Sequence, residues 1–406
     1  MDFGLSEEQE LLQQSARDFL ARECPTSFVR EMARSDDGFS RALHEKMAGM
    51  GWTGLIIPEK FGGLGLQMLD LAVLAEELGR AVAPGPFFSS SVLAALSLMH
   101  SGGNALKKEW LPRIAAGQVI GTLAFTEAND RLDAEGITAQ CMKTRSGYRL
   151  NGTKMFVTDA HVADFLVAAF RARGAREPGI CLFVLPRDTP GVSVQPLHSI
   201  DQTRRPCEVA FRNVDVPARA LLADERTGWK VLKKVIDGAC IVLAADCLGG
   251  AQRALEMAVE YSKVREQFGR PIGSFQAVKH IAAEMVSEIE PARSLVWHAA
   301  YAYDQEPRTA ARAAAMAKAR LSDVSAAPRT APCKSTAASV SPGSTTCICG
   351  SSAPSGTRLL SAMRRCIASA WHSSQVSRAC GRRHFLWPAP VGSLPSPTTG
   401  QPLGFG

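Results

Sequence analysis

The chain has 406 residues, long enough for two or three domains with cores of their own, and its 46% hydrophobic and 21% charged residues are typical of a globular protein. The formal net charge of +7 arises in the tail, because residues 325–406 contain eight Lys or Arg and no Asp or Glu. Residues 1–324 therefore have 38 basic against 39 acidic side chains, which gives no support for a nucleic-acid-binding body.

No segment of the sequence predicts membrane insertion or export. The apolar runs fall short of the roughly 18 to 20 residues that are needed to span a bilayer. The N-terminus, from Met1 to Glu8, lacks the basic region and the apolar core of a signal peptide. We therefore expect a cytoplasmic protein without a membrane span.

The cysteines lack the spacing of a metal site. Six lie in the body of the chain, and their scatter predicts buried free thiols at positions 24, 141, 181, 207, 240 and 247. Cys347 and Cys349 form an isolated Cys-x-Cys in the tail, without a second pair or a nearby His. We expect no metal there.

Residues 1–118 have the pattern of a helical domain. Ser6 followed by Gln9 predicts a capping box, in which each side chain satisfies a backbone donor of the other residue at the start of a helix. The apolar side chains that follow at helical spacing are Leu12, Ala16, Phe19 and Leu20.

A glycine-rich loop over residues 58–65 separates this helix from the next. Its Gly63-Leu64-Gly65 lacks the third glycine of a dinucleotide-binding fingerprint, so the pattern predicts a turn. The apolar positions that follow predict a helix from about Met68 to Leu78, with Gly79 placed to end it.

Residues 119–220 change to short apolar runs that predict a small, mainly antiparallel β domain. Within it, residues 148–157 predict a hairpin, because Asn151-Gly152 tolerates the positive φ angles of a tight turn. Residues 164–170 and 180–185 predict two further strands.

The helical pattern returns from Gly228 to about Val324. The stripe of helical period in this segment consists of Leu248, Ala251, Leu255, Ala258 and Val259. Residues 325–406 are rich in Ser, Thr, Pro, Ala and Arg and have no sustained periodicity, which predicts disorder.

Three local motifs carry a family resemblance. The first is Leu123-Ala124-Phe125-Thr126-Glu127, at the start of the predicted β domain. The second is Gly152-Thr153-Lys154-Met155-Phe156-Val157-Thr158-Asp159-Ala160. The third and most specific begins at Tyr261 as Tyr-Ser-Lys-Val-Arg-Glu-Gln-Phe-Gly-Arg-Pro-Ile and continues to Phe275-Gln276. In this order and spacing the motifs closely resemble those of the acyl-CoA dehydrogenases, over residues 1 to about 324.

The order of helical, β and helical segments agrees with the fold of that family. We therefore expect an α+β protein with an acyl-CoA dehydrogenase-like fold. Its parts would be an N-terminal helical domain (1–118), a middle antiparallel β domain (119–220), an incomplete C-terminal helical bundle (221–324) and an aberrant tail (325–406).

The resemblance implies an FAD site on the β domain. Its implied cofactor contacts there are Leu123, Phe125, Thr126, Phe156, Val157 and Thr158. In relatives the aromatic residue at the place of Phe156 stacks on the flavin and excludes water, and the hydroxyl at Thr158 bonds its reactive edge. Without the other motifs, Phe156 would be a core aromatic residue and Thr158 an ordinary strand residue.

A second implied group of cofactor contacts consists of Arg265, Gln267, Phe268 and Gln276. In relatives the residue at Arg265 reaches the FAD phosphates or adenosine across a subunit interface, and a guanidinium suits a pyrophosphate because its fork donates two bonds. The alternative for Arg265 is a solvated helix end. FAD binding would thus imply a partner, either a second copy of the chain or a paralogous subunit, in a dimer or tetramer.

The residues that hold the thioester in relatives are only partly present. The family has Gly-Ser-Asp after its Thr-Glu, and here only Asp133 matches. Asp237 occupies the place of another substrate-positioning residue, but Cys240 replaces the Arg that follows it. The implied substrate contacts are therefore Asp133 and Asp237.

The catalytic base is missing from both places where the family has one. The reaction needs a carboxylate within hydrogen-bond reach of the acyl α-proton. In most relatives this Glu lies near the C-terminus, but the tail has no carboxylate, and in a minority it lies at the place of Ala239. Glu127 and Asp237 are possible substitutes, although each is better suited to a structural or substrate-holding role, so the catalytic residue stays unknown.

A shifted reading frame offers an origin for the tail. If the last base of each codon joins the first two of the next, permissible codons turn residues 336–343 (Thr-Ala-Ala-Ser-Val-Ser-Pro-Gly) into His-Gly-Gly-Ile-Gly-Phe-Thr-Trp. Continuing through Pro354 gives Glu-His-Asp-Leu-His-Leu-Trp-Phe-Lys-Arg-Ala, which resembles the family's FAD-binding C-terminal segment. Residues 361–371 can give Phe-Gly-Asp-Ala, two open positions and His-Arg-Glu-Arg-Leu. We hypothesise a frameshift between Val324 and about Cys333. The restored frame still has Gly where the usual Glu would stand.

The resemblance implies a flavin-dependent oxidoreductase of lipid metabolism. We expect α,β-dehydrogenation of an acyl-CoA, as in fatty acid β-oxidation, with electrons passed to an electron-transferring flavoprotein. The alternative is a non-catalytic partner subunit or a pseudoenzyme in a hetero-oligomer.

Overall fold

The computed structural model arranges the chain as a helical domain, a β domain and a second helical domain, in that order. It describes residues 4–129, 131–174, 179–199 and 201–325. The observed order confirms the predicted α+β class. The predictions for the tail, namely its disorder, the Cys347/Cys349 pair and the frameshift, lie outside the described residues.

The N-terminal domain is built from helices. They are α1 (Glu7–Glu23), α2 (Thr26–Arg34), α3 (Arg41–Gly49), α4 (Met68–Ala81), α5 (Ala95–His100) and α6 (Asn104–Ala115), with a π-helix at Phe87–Ala94 before α5. The capping box is confirmed, because Ser6 Oγ accepts from the Gln9 N–H at 3.3 Å and Gln9 Oε1 accepts from the Ser6 N–H at 3.1 Å. The predicted stripe on α1 is buried at Ala16, Phe19 and Leu20.

Gly79 does not end α4, so that prediction was wrong. The helix continues past it, and Val82 follows with φ 54°, in the left-handed region. A Cβ on Gly79 would lie 2.1 Å from the backbone oxygen of Asp246 in the long C-terminal helix. The glycine therefore permits close helix packing. The loop at residues 58–65 is irregular as predicted, apart from a 3₁₀ turn at Glu59–Phe61.

The middle of the chain forms one eight-stranded sheet. Its strands are β1 (Gly121–Ala124), β2 (Gln140–Lys143), β3 (Gly147–Thr158), β4 (Phe165–Ala172), β5 (Ile180–Pro186), β6 (Val192–Pro196), β7 (Pro206–Pro217) and β8 (Leu221–Ala223). Their order is β6-β7-β3-β2-β4-β5-β8, with β1 paired to β4. The pairs are antiparallel except β1–β4 and β2–β4, so the sheet is mainly antiparallel as predicted.

The predicted hairpin at Asn151-Gly152 is wrong, because β3 runs through both residues without turning. The turn lies before β3, where the Thr144 N–H donates to the Gly147 carbonyl at 2.9 Å and β2 pairs with β3. Gly152 has φ 138°, and a Cβ on it would lie 2.4 Å from the Ala139 Cβ. Gly152 lies where the β3–β7 register shifts, and Asn151 before it does not start a turn.

The C-terminal helical domain is organised along one long helix. Its elements within the described residues are α7 (Gly228–Val264), β9 (Glu266–Gln267), β10 (Arg270–Pro271), α8 (Gln276–Gln305) and α9 (Ala310–Val324). The predicted stripe lies on α7, where Leu248, Ala251 and Leu255 are buried. Among the helices of the described residues, none is long and apolar enough to cross a membrane.

The body cysteines are free thiols. Five of them are buried as predicted, namely Cys24, Cys141, Cys181, Cys207 and Cys240, whereas Cys247 on α7 is half-buried. Burial raises the pKa of Cys24 to about 12, so this thiol stays protonated at neutral pH.

Two histidines that pack among the helices should make the stability of the fold depend on pH. Burial, with smaller contributions from nearby cations, lowers the pKa of His44 and of His100 to about 4, from an ordinary value of 6.5. Between these values the unfolded chain binds protons that the folded chain does not. The stability that depends on the neutral imidazoles is therefore present above pH 6.5 and is lost as the pH falls towards about 4.

We expect the free energy of unfolding to decrease by up to about 1.4 kcal/mol per pH unit for each histidine in this range. Urea unfolding at a series of pH values measures the slope. The slope should be smaller in His44→Gln and unchanged in His280→Gln, which removes an exposed histidine on α8. Equal slopes in the wild type and in His44→Gln would contradict the assignment.

Candidate functional site

The first predicted site segment follows directly from β1 and is bonded to β3. Leu123 is buried within β1, Phe125 is half-buried and Thr126 is buried. Thr126 pairs with Met155 in both directions: the Met155 N–H donates to the Thr126 carbonyl at 2.9 Å, and the Thr126 hydroxyl donates to the Met155 carbonyl. The two motifs of the β domain therefore meet at Thr126 and Met155.

The second predicted segment contains a bulge in β3. In the pairing with β7, Lys154 lies opposite Val209 and Val157 lies opposite Cys207, so β3 has one extra residue in this interval. Phe156 lies within the bulge and has φ 58°, a left-handed conformation that a bulky residue rarely adopts. Its side chain leaves the regular alternation of the strand as a result.

The residues at the bulge differ in their exposure to solvent. Val157 is buried in the β core, while Phe156 and Thr158 are half-buried. The Thr158 carbonyl accepts from the Thr122 hydroxyl at 2.6 Å, which ties the end of β3 to β1. The structure thus brings the six β-domain residues of the predicted site together, with Leu123 and Val157 as its buried support.

Glu127 and Lys154 form a buried ion pair beneath this region. The Lys154 side chain is 0% exposed, and its Nζ lies 2.7 Å from Glu127 Oε1. Burial lowers the pKa of Lys154 to about 8, although Glu127 opposes that shift. Burial alone would raise the pKa of the Glu127 carboxyl, but Lys154 and the donors of Thr138 and Ala139 outweigh it and lower the pKa. A carboxylate that is stabilised in this way is a poor candidate for the catalytic base.

Asp159 follows Thr158 and connects the site with the N-terminal domain. It is buried, has φ 57°, and its carboxylate accepts from the Ser89 hydroxyl at 2.7 Å. Burial raises the pKa of Asp159, and the Ser89 bond and the Arg204 guanidinium oppose that rise. Arg204 in turn donates to Asp246 on α7 at 2.7 Å. Asp159 at the end of β3 is therefore linked to Arg204 by opposite charge, and Arg204 is bonded to the middle of α7.

A small cavity lies beside Arg204 and Asp246, between α3, α4, the π-helix and α7. Its walls are mostly apolar, and they include Leu43, Met47, Ala75, Leu78, Phe87, Phe88 and Val242. Phe87 and Phe88 directly precede Ser89, which bonds Asp159. The cavity is thus close in the fold to the half-buried Thr158.

An open groove lies on the other side of the ion pair, with a volume of about 620 Å³. Its lining is rich in amide and hydroxyl groups, and it comprises Glu127, Ala128, Asn129, Thr138, Ala139, Gln140, Asn151, Gly152, Thr153 and Met155. A volume of this size is within the range of small-molecule sites.

Asp237 and Ala239 lie on α7. Asp237 is half-buried, and burial raises its pKa to about 6 against the opposing charges of Lys233 and Lys234. Ala239 is buried, so the position where a minority of relatives have their base holds a methyl group. Ala239 lies three residues before Val242, which lines the cavity, but Ala239 is not itself among the lining residues.

The side-chain contacts of Asp133 are with its own loop and not with Asp237 or Ala239. It caps the 3₁₀ turn Ala134–Gly136 by accepting from the Gly136 N–H at 2.9 Å, and it accepts from Arg131. The Arg131 bond, more than the backbone bonds, lowers the pKa of Asp133 despite partial burial. The carboxylate is already engaged within its own loop.

The second predicted cofactor group lies at the far end of α7. Arg265 ends the helix, Gln267 is in β9, and Phe268 is 92% exposed, while Gln276 begins α8. Arg265 is 19 residues beyond Asp246, which corresponds to about 28 Å along a helix. The structure does not bring this group together with Phe156 and Thr158.

The side chains present fit FAD in their chemistry. The β domain offers a half-buried aromatic residue and a hydroxyl at a bulge, while Arg265 offers an exposed guanidinium for phosphate. Because the two groups lie at separate places on one chain, they fit FAD only if each site is completed by a second subunit. No cluster of His, Cys, Asp and Glu suitable for a metal ion occurs among the described residues.

Several residues of the site were missed by sequence reasoning, namely the Glu127–Lys154 pair, Ser89, Asp159 and the Arg204–Asp246 pair. A signal existed for Lys154, since it shares the inward-facing alternation of β3 with Leu150. Ser89 and Arg204 gave none, because their contacts join parts of the chain that are far apart in sequence.

Comparison with known families matches almost the whole described chain. The N-terminal, middle and C-terminal domain models of acyl-CoA dehydrogenases match residues 6–118, 122–214 and 226–327, respectively. A relative from Megasphaera elsdenii, described as a short-chain-specific acyl-CoA dehydrogenase, is 34% identical over 338 residues, covering 80% of this chain and 86% of the relative.

Solved structures show the same fold. The butyryl-CoA dehydrogenase of Megasphaera elsdenii has a TM-score of 0.78 and 29% identity, covering 92% of this chain and 99% of its own. A structure described under the electron transferring flavoprotein of Acidaminococcus fermentans has a TM-score of 0.79 and 29% identity, covering 93% of this chain and all of its own.

Proposed function

Because this chain belongs to the acyl-CoA dehydrogenase family, whose members are FAD-binding flavoproteins, we propose that it oxidises an acyl-CoA thioester between Cα and Cβ. The electrons would pass to an electron-transferring flavoprotein, as in fatty acid β-oxidation in the cytoplasm. The observation that supports this most is the β3 bulge, where Phe156 and Thr158 lie beside the Phe125–Thr126 segment.

The chain's own residues would bind and orient the reactants. FAD, when bound, supplies the acceptor for the hydride that leaves Cβ. Phe156 would cover the ring system and exclude water, and Thr158 would donate a hydrogen bond to its reactive edge. Arg265, Gln267, Phe268 and Gln276 would hold the phosphate and adenosine end of an FAD on a neighbouring subunit.

An open groove is available for part of the substrate. We assign the groove beside Asn129 and Thr138 to the polar CoA part, because its lining offers amide and hydroxyl groups. Asp133 and Asp237 would position the thioester, and the pKa of Asp237 near 6 leaves it ionised at neutral pH.

The test uses the full chain with added FAD. We expect a flavin absorption spectrum after removal of free FAD, and bleaching of that spectrum when acyl-CoA esters of increasing length are added without oxygen. An affinity for FAD at least tenfold lower in Phe156→Ala than in the wild type would support the assigned stacking. Phe28→Ala, a half-buried aromatic residue in α2, is the matched control. A wild-type chain that takes up no FAD would contradict the proposal.

A non-catalytic partner subunit is the second candidate, and the missing base favours it. Ala239 fills one base position, residues 325–406 contain no carboxylate, and Glu127 is held by Lys154. Such a subunit would supply Arg265 and its neighbours to the FAD of a paralogue. Bound flavin that resists every acyl-CoA, together with activity after mixing with a paralogous subunit, would favour this function.

A further inference from the structure

The buried Lys154 occupies a place where an apolar side chain would be expected. It lies in β3 between two strands of the sheet, and its Nζ is 5.4 Å from the centre of the Phe170 ring. Its charged partner is Glu127, and the Phe125 carbonyl lies 3.5 Å away. Both contacts are with the segment that follows β1, which is the segment that faces the bulge.

Glu127 extends the connection to a third part of the chain. Its carboxylate accepts from the backbone N–H groups of Thr138 and Ala139, each at 3.0 Å, and from the Thr138 hydroxyl. These residues lead into β2. One largely buried carboxylate therefore joins the segment after β1, the segment that leads into β2, and Lys154 within β3.

The bulge needs such a restraint. Phe156 is held at φ 58°, and a non-glycine residue in this region costs about 1 kcal/mol or more. The Met155 N–H bonds to Thr126, the extra residue having removed it from the β7 ladder. The conformation at Phe156 therefore depends on the Phe125–Glu127 segment staying in place.

We propose that the Glu127–Lys154 pair is a positioning device that holds the Phe125–Thr126 and Phe156–Thr158 segments at a fixed separation, and so determines how they contact the flavin. This inference rests on the proposed function. Glu127 also lines the groove that is assigned to CoA, so the readouts are hydrogen exchange and FAD binding and not substrate binding. The pair acts through Thr126, Met155 and Phe156.

Stability alone does not account for this pair. A buried ion pair can often be replaced by apolar residues of similar volume without loss of stability, whereas removal of one partner is costly. The ion pair differs from an apolar pair because its hydrogen bonds are directional. Glu127 and Lys154 therefore fix the relative positions of three segments, which apolar contacts would not do. A double replacement therefore separates positioning from stability.

The experiment compares Glu127→Gln/Lys154→Met with Arg149→Met/Asp215→Asn. The control removes the exposed ion pair at the other end of β3, where Arg149 Nε lies 2.8 Å from Asp215 Oδ1. Hydrogen exchange of the chain without added FAD is measured first. We expect the Met155 amide to exchange at least tenfold faster in the first variant, while the Leu150 amide, in the same strand, is unchanged. The control should leave both amides unchanged.

FAD binding is measured second, by quenching of flavin fluorescence. We expect the dissociation constant to rise at least tenfold and the absorption spectrum to shift in the first variant only. Unchanged Met155 exchange together with an unchanged dissociation constant would overturn the inference. If the wild type takes up no FAD, the proposed function fails, and Met155 exchange still decides whether the pair positions the bulge.

If the double variant does not fold, the single variant Glu127→Gln tests the same inference. Glu127→Gln keeps the side-chain volume and one acceptor, but removes the charge that faces Lys154. Because removal of one partner costs stability, Met155 exchange is read against that of Leu150 in the same variant. We expect Met155 to exchange at least threefold faster and Leu150 to be unchanged. Exchange equal to that of the wild type would count against the positioning role.

Discussion

Ala239→Glu is expected to raise the rate of acyl-CoA oxidation by the FAD-loaded chain by about 10²- to 10⁴-fold, which is the usual contribution of a positioned general base. Ala239 lies on α7 at the place where a minority of relatives have their base, and it is buried. A carboxylate at this buried position would have a raised pKa, which suits proton abstraction near neutral pH.

The measurement is the single-turnover rate of flavin bleaching by acyl-CoA without oxygen, recorded from pH 5 to pH 9. The rate of the variant should rise with pH, because the new carboxylate must lose its proton before it can accept another. Ala239→Gln is the matched control, since it adds the same bulk without a base. Both variants add volume to a packed site and are expected to lose about 1–3 kcal/mol of stability.

Two results would contradict this prediction. Equal rates for Ala239→Glu and Ala239→Gln would mean that position 239 does not reach the acyl α-carbon. A wild-type chain that already bleaches rapidly would mean that a base exists elsewhere, and Asp237, with its pKa near 6, would then be the first residue to replace.

The sequence predicted those features of the fold that depend on local pattern. The capping box at Ser6 and the helical stripe on α7 were predicted correctly because each depends on residues one or two turns apart. The two glycine predictions were wrong for a shared reason. Gly79 and Gly152 were interpreted by local backbone freedom, whereas both allow close approach of another part of the chain.

In the candidate site, too, the features that depend on local sequence were predicted and those that depend on long-range contacts were not. The motifs identified Phe156 and Thr158, but not the bulge that places them, because a bulge is defined by the register of β3 against β7. Glu127 was considered as a base, and only the structure reveals Lys154 beside it. Long-range partners such as Ser89 for Asp159 cannot be found from spacing, since they are 70 residues apart.

Restoring the reading frame between Val324 and about Cys333 is expected to strengthen FAD binding by about 100-fold, equivalent to about 2.8 kcal/mol. The restored string resembles the family's FAD-binding C-terminal segment, so it would add cofactor contacts that the present tail does not offer. FAD titration of the restored and the present chain measures the difference. Resequencing of the gene across this stretch is the direct check on the frameshift itself.

A chain that stops after Val324 is the control, because it separates two effects of the tail. If the tail acts only by lacking the FAD-binding segment, the shortened chain and the present chain should bind FAD equally, and both should be weaker than the restored chain. Codon degeneracy allows some chance agreement in a shifted frame, but it does not account for a continuous family-like string over residues 336–354. Because the restored frame has Gly where the usual Glu would stand, the restored chain should bind FAD and still require Ala239→Glu for rapid oxidation. Rapid oxidation by the restored chain without Ala239→Glu would show that the base lies at another position. FAD binding by the restored chain no tighter than that by the present chain would contradict the prediction.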